Sequence, residues 1–176
     1  MNNSAYSFGG IALQAYLKNT KEDLLGLINW ARENGRRVTV RLVRGAYWDH
    51  ETVISLRQGW PVPVFRQKEE TDRNFGELTD ILLENTDLVR TAIATHNIRS
   101  ISHAIALAES KGLPKEAFEF QMINGTAEPV RRALHQMGHR VRVYAPFEEL
   151  IPGMAYLIRR LLENSTNVSF PDRAQR

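Results

Sequence analysis

The stretch RVTVRLVRGAYWD, residues 37–49, decides how this chain is read. Successive side chains of a strand point to opposite faces, so residues 38–43 separate into Val38, Val40 and Leu42 on one side and Thr39, Arg41 and Val43 on the other. Arg41 thus falls mid-strand, where a sheet covered on both faces would bury an apolar group. A buried cation needs a partner or a ligand, so this position asks for a functional explanation.

Working outward, short apolar runs alternate with amphipathic helical segments, the pattern of βα units around a parallel sheet. Strands are expected over 11–17, 37–43, 89–96, 117–123 and 140–147. The intervening helices include one over 21–34, capped by Thr20 and closed by Gly35, whose Leu24, Leu27, Ile28 and Ala31 form one stripe. Others start at the Thr71-Asp72 pair, near Ile98, near 127, and in AYLIRRLLEN. The connection after the second strand is much longer than an ordinary βα loop, which predicts a functional segment there.

Two architectures accommodate five such units: an open doubly wound sheet, or a (β/α) barrel. No G-x-G-x-x-G follows the first strand, which weighs against the usual dinucleotide-binding site. A full eight-unit barrel takes about 250 residues, more than this chain has.

The chain has 176 residues, 43% hydrophobic and 24% charged, enough apolar material for one globular domain with a core. It has no cysteine, which removes disulfides and thiolate metal sites and favours a cytoplasmic setting. No HxH or HExxH spacing supports a metal. A formal charge of +3, with no basic block or reader motif, argues against nucleic acid. No apolar run approaches the roughly 20 residues of a membrane span.

The same two-row split applies along the other strands. Gln14, Arg41, His96, Gln121 and Tyr144 then stand on five successive strands in polar rows, or at strand ends, near the C-terminal ends where α/β and barrel enzymes bind ligands. In the last helix, Tyr156, Arg159, Arg160 and Glu163 share one face opposite Leu157, Ile158, Leu161 and Leu162. That face reads either as a solvated ion-paired surface or as a guanidinium fork for a carboxylate. Trp48 reads as loop packing or as the wall of a planar cofactor site.

Taken in series, IALQAYLK, RLVRGAYWD, the K-x-x-T-D element of QKEETDRNF, ATHN, EFQM, VRVYAP and AYLIRRLLEN resemble the proline dehydrogenase family, especially the proline dehydrogenase domain of bifunctional proline utilisation A proteins. The resemblance spans roughly residues 10–170. It implies a distorted (β/α)8 TIM-type barrel, of which only about five units, strands four to eight, are present over 1–176. It also implies FAD as cofactor and oxidation of L-proline to pyrroline-5-carboxylate, with electrons passed to a quinone and peripheral membrane association.

Carried over by position, Gln14, Arg41, Arg44, Gly45, Ala46, Trp48, Thr95, His96 and Gln121 resemble FAD contacts. Arg41 resembles the catalytic arginine beside flavin N5, where a cation stabilises the reduced ring. Arg159 and Arg160 resemble the pair that grips the proline carboxylate, and Tyr144 and Tyr156 the tyrosines around its ring. Two departures stand out: Ile123-Asn124-Gly125 replaces the usual Leu-Tyr-Gly or Leu-His-Gly, and Arg44 replaces a common lysine, read as a mild change.

The family barrel begins with three further strands, so the chain is expected to be the C-terminal piece of a longer enzyme, with a preceding barrel segment and a following aldehyde dehydrogenase domain as candidate neighbours. Impaired turnover of the isolated chain follows from that expectation. The alternatives are a non-catalytic fragment that needs an N-terminal complement, and a different small-molecule barrel enzyme that uses the arginine pair for phosphate.

Overall fold

A computed structural model of the chain describes residues 9–145 together with 153, 154, 157 and 158. Its elements run β1 (Gly10–Gln14), α1 (Thr20–Glu33), β2 (Val38–Val43), α2 (Trp48–Gln58), α3 (Lys68–Glu84), β3 (Val89–Ala94), α4 (Ile98–Ser110), a 3-10 turn (Lys115–Ala117), β4 (Phe118–Ile123), α5 (Glu128–Gln136) and β5 (Val141–Tyr144). The strands form one sheet in the order β1-β2-β3-β4-β5, and every neighbouring pair is parallel.

Sequential order carries topological information. Right-handed crossovers between consecutive neighbours place each intervening helix on the same face, whereas a doubly wound sheet must reverse direction and cover both faces. One hydrophobic cluster accordingly joins a single row of each of the first four strands to four helices. Leu13, Val40, Leu42, Val89, Ile93, Phe118, Phe120 and Met122 meet Leu24 and Ile28 of α1, Phe75, Leu78 and Leu82 of α3, Ile101 and Ile105 of α4, and Leu134 of α5. β5 is an edge, and its Val143 remains exposed.

Local chemistry explains most element ends. The Asn97 side chain accepts a hydrogen bond from the Ser100 N–H at 3.2 Å and starts α4. The Glu70 carboxylate accepts from the Gln67 N–H at 3.0 Å, so α3 begins at Lys68, ahead of the Thr71-Asp72 pair the sequence suggests. Thr20 is likewise not a cap: it is the first residue of α1, buried, and its hydroxyl donates to the Gln14 carbonyl at 2.6 Å.

The long connection after β2 contains α2, a helix that buries only Ser55 and leaves Val53, Leu56 and the following Trp60 exposed. After Gly59 the chain folds back over the end of β1, where Leu17 and Val64 form an antiparallel bridge and the Phe65 N–H donates to the Tyr16 carbonyl at 2.8 Å.

Candidate functional site

The sheet face away from the helices carries the second row of each strand. Register aligns Ala12, Arg41, Ala92 and Glu119 across β1 to β4, and Gln121 pairs with both Ala94 and Arg142. Arg41 and Gln121 lie two strands apart, about 10 Å at ordinary strand spacing. The inner row of β3 between them is alanine, at 92 and 94, so the arginine crosses a floor of methyl groups. Its Nε donates to Gln121 Oε1 at 2.8 Å, its Nη2 to the Tyr144 hydroxyl at 3.4 Å, and its guanidinium carbon lies 5.5 Å from the Tyr144 ring centroid.

Among the described residues, the hydrogen-bond partners of Arg41 are thus a neutral amide and a neutral phenol. Its charge is left uncompensated by any carboxylate in contact. Glu119 comes near but is engaged elsewhere, because Arg142 grips it with Nε and Nη2 at 2.8 and 2.9 Å. Burial would raise the Glu119 carboxyl, but hydrogen bonds from Arg142 and Gln121 and the nearby charges of Arg142 and Arg140 hold it below its ordinary value.

Gln14 stands at the end of β1, half-buried, and its side-chain amide makes no hydrogen bond among the described residues. His96 follows β3 and reaches the end of β4: its Nε2 accepts from the Ile123 N–H at 3.0 Å and lies 2.9 Å from the Thr126 hydroxyl. An Nε2 that accepts from a backbone N–H places the ring proton on Nδ1 when the imidazole is neutral. Ile123, on the inner row of β4, is buried.

Arg44 belongs to a separate cluster. The end of β2 turns it away from Arg41 into the space between β3, α3 and α4, where it is 6% exposed. Its Nε donates to Asp72 at 2.8 Å, Nη1 to Thr95 Oγ1 at 2.7 Å and Nη2 to Ser100 Oγ at 2.7 Å, while the guanidinium lies 4.5 Å from the Phe75 ring. Lys68 completes the cluster through Asp72 at 2.5 Å. Burial would raise the Asp72 carboxyl, but the hydrogen bonds from Lys68 and Arg44 outweigh it and depress the group.

A lysine offers no planar fork, so it cannot reproduce this three-way contact, and arginine at 44 is not a mild change in this chain. Thr95 is fully buried, and its hydroxyl also accepts from the Asn97 N–H at 3.1 Å. Next to Arg44, Gly45 has a φ of +122°, and a Cβ there would lie 2.5 Å from the Tyr16 ring. The Trp48 indole donates to the Phe65 carbonyl at 2.7 Å, which ties the start of α2 to the returning connection. Ala46 is half-buried between Gly45 and that helix.

The structure therefore brings Arg41, Gln121 and Tyr144 together, sets Gln14 and His96 at neighbouring strand ends, and assigns Arg44 and Thr95 to a buried network. Tyr156, Arg159 and Arg160 lie outside the described residues. Sequence reading missed Glu119 and Arg142 as a pair, although strict alternation put both in polar rows. It quoted Lys68 and Asp72 only within the K-x-x-T-D element and missed their role, with Ser100, as partners in the Arg44 cluster, for which the Lys68-to-Asp72 spacing of one helical turn was the available signal.

Among the described residues no cluster of three or more His, Asp or Glu side chains is placed to hold a metal ion.

Comparison with known proteins identifies the family. The family model described as proline dehydrogenase matches residues 2–173. The bifunctional protein PutA of Klebsiella aerogenes is 34% identical over 171 residues, covering 93% of this chain and 13% of that protein. Proline dehydrogenase 2 of Bacillus subtilis (strain 168) is 33% identical over 165 residues, covering 94% of this chain and 48% of that protein. Among solved structures, proline utilization A from Bdellovibrio bacteriovorus inactivated by N-propargylglycine superposes with a TM-score of 0.86 at 50% identity, covering 92% of this chain and 17% of that one. The chain thus spans half or less of the length of these relatives.

Proposed function

The chain belongs to the proline dehydrogenase family, and from that premise we propose that it supplies part of the site at which L-proline is oxidised to pyrroline-5-carboxylate with FAD as cofactor. The observation that carries this reading is Arg41: a half-buried guanidinium on the open face of the sheet, held by Gln121 and Tyr144 and neutralised by neither.

Oxidation removes two electrons and two protons from the C–N unit of the substrate ring. When bound, the flavin supplies the two-electron acceptor. The protein's task is to hold that acceptor and the ring in one geometry and to stabilise the negative charge that builds on reduction. Arg41 does the second, in a setting where neighbouring dipoles are already oriented. Gln14, His96 and Gln121 would hold the planar ring system from three strands, with Trp48 beside it. Tyr144 borders the position where the substrate ring would sit. By resemblance, Arg159 and Arg160 form the carboxylate clamp, with Tyr156 beside them, a fork that fixes orientation better than one ammonium.

The sheet has β1 and β5 as its edges among the described residues. Helices α1, α3, α4 and α5 packed on one face of a parallel sheet in sequential order are what a barrel wall requires, so closure by further strands into a (β/α)8 barrel belongs to the same proposal. A quinone acceptor, and with it contact at a membrane surface, is carried forward from the resemblance as a proposal; among the described residues no helix is long and apolar enough to cross a membrane.

The visible spectrum tests the reading directly. The complete enzyme that contains this chain, purified and supplied with FAD, is expected to show a bound flavin spectrum that bleaches when L-proline is added without oxygen. A protein that retains no FAD, or holds FAD that proline leaves oxidised, would overturn it.

A further inference from the structure

We propose that Glu119 is a positioning residue: acting through the Gln121 amide, it fixes the orientation in which Arg41 offers its guanidinium to the open face of the sheet. The proposal rests on the reading of Arg41 as the cation beside the flavin. Glu119 itself is directed at neither substrate nor cofactor.

The argument is one of donors and acceptors. Arg142 can only donate, and it donates two bonds to the Glu119 carboxylate, at 2.8 and 2.9 Å. An ionised carboxylate can only accept, so the Gln121 group that faces Glu119 must be its NH2, and Nε2 donates to Glu119 Oε1 at 2.8 Å. That leaves the Gln121 carbonyl pointing the other way, where Arg41 Nε donates to it at 2.8 Å. The relay therefore alternates without ambiguity: guanidinium, carboxylate, amide, guanidinium.

If the amide turned over, it would set an NH2 against the Arg41 Nε–H, two donors face to face. Among the described residues, the Arg41 Nε–H and the Glu119 carboxylate together impose the amide's orientation, and both lie along this relay. The Glu119 side chain is only 12% exposed, so water competes poorly for the carboxylate.

Charge placement supports the same role. Glu119 brings a negative charge near Arg41, which would weaken Arg41 as a stabiliser of developing negative charge. The Arg142 fork takes up that charge, and Gln121 transmits orientation without transmitting charge. With Nε and one Nη2 hydrogen engaged, the remaining three N–H groups of Arg41 have no partner among the described residues.

Glu119→Gln keeps the shape but gives position 119 an amide that can face Gln121 with either end, so only Arg41 still favours one orientation of Gln121 and the preference weakens. In flavin-free wild-type protein, the Arg41 Nε–H resonance in a 15N-edited NMR spectrum should be shifted and protected from exchange. In E119Q it should move towards the free-guanidinium position and exchange faster. In the flavin-loaded protein the same variant should make the flavin midpoint potential more negative. It should also lower kcat by about tenfold, as for loss of a partner that orients a reacting group, with KM for proline within about twofold.

Arg142→Met is the control. It removes the fork but leaves the acceptor, so the Arg41 resonance should stay near its wild-type position. An E119Q protein with an unmoved Arg41 resonance and wild-type potential and kcat overturns the proposal, whatever its melting temperature. So does an R142M protein whose Arg41 resonance moves as far as that of E119Q, because the cause would then be general disturbance of the β4–β5 edge. If wild-type protein holds no flavin, the functional reading fails, while the flavin-free NMR comparison still decides the relay.

Discussion

Arg41, inside β2, and Arg44, just past its end, sit three residues apart and are used in opposite ways. Arg44 is 6% exposed and neutralised, with three of its N–H groups donated to a carboxylate and two hydroxyls and a phenyl ring against the guanidinium. Arg41 is half-buried, bonded only to neutral groups, and keeps N–H groups directed at no protein partner among the described residues. Under the proposed function, the working arginine is the under-satisfied one. Neutralisation spends a guanidinium on the fold, and an incompletely paired one leaves its field for a ligand.

The largest effect that would break this contrast is catalytic. Arg41→Met should lower the rate of flavin reduction by proline at least about 100-fold, while changing the unfolding free energy by less than about 1 kcal/mol. Anaerobic stopped-flow spectroscopy and denaturant titration of the same preparation read the two quantities, and a large loss of stability would place Arg41 with Arg44.

Arg44→Met should do the reverse through the fold. Losing the buried guanidinium leaves the Thr95 and Ser100 hydroxyls without it and Asp72, 34% exposed, with Lys68 alone, a cost of about 2 kcal/mol, and Arg44→Lys should recover only part of it, because one ammonium nitrogen cannot span contacts that three separate guanidinium nitrogens make. Urea unfolding curves of the two variants check this. A fully stable R44K would return position 44 to the mild reading.

Gly45→Ala tests the turn that separates the two arginines. The +122° backbone and the Tyr16 ring together should cost about 2 kcal/mol. Thermal unfolding measures it, and an unchanged melting point would mean that Tyr16 yields without loss.

The smallest expected effect concerns the other face of the sheet, where a titratable group is kept neutral. His139 is buried between Lys115 and the edge-to-face pair Phe118 and Phe120, and burial, then the Lys115 charge, lowers its pKa below 6.5. The unfolded chain therefore binds more protons in the window below about pH 6.5, and folding stability must fall as the pH drops through it. His139→Phe should flatten that part of the stability-against-pH curve. An unchanged slope would remove His139 as its source.

Alternation made the strands and the polar row legible, because a sheet packed on one face writes a period of two into its sequence. Gln14, Arg41, Gln121 and Tyr144 were readable for that reason. α2 was not, because WDHETVISLRQ buries only Ser55 and so carries no apolar stripe. The fate of Arg44 was hidden for a different cause: its partners lie on α3, β3 and α4, and no local pattern reports which distant oxygens a guanidinium will meet. The alanines at 92 and 94, the low floor across which Arg41 reaches Gln121, also went unread, because an alanine in a strand marks neither a polar nor a bulky apolar row.

The sheet's sequential order also bears on how the chain acquires its shape. Gly10 pairs with Thr39, Thr91 with Phe118 and Phe120 with Val141, all across modest loops, but Val38 pairs with Val89 across the widest one, which holds both α2 and α3. Chain closure costs more entropy as the loop lengthens, and pairings distant in sequence slow folding. Joining β2 to β3 is therefore the expected kinetic bottleneck. The Arg44 network spans that junction, tying the end of β2 to α3, β3 and α4, and acts as the latch that keeps the longest closure from reopening.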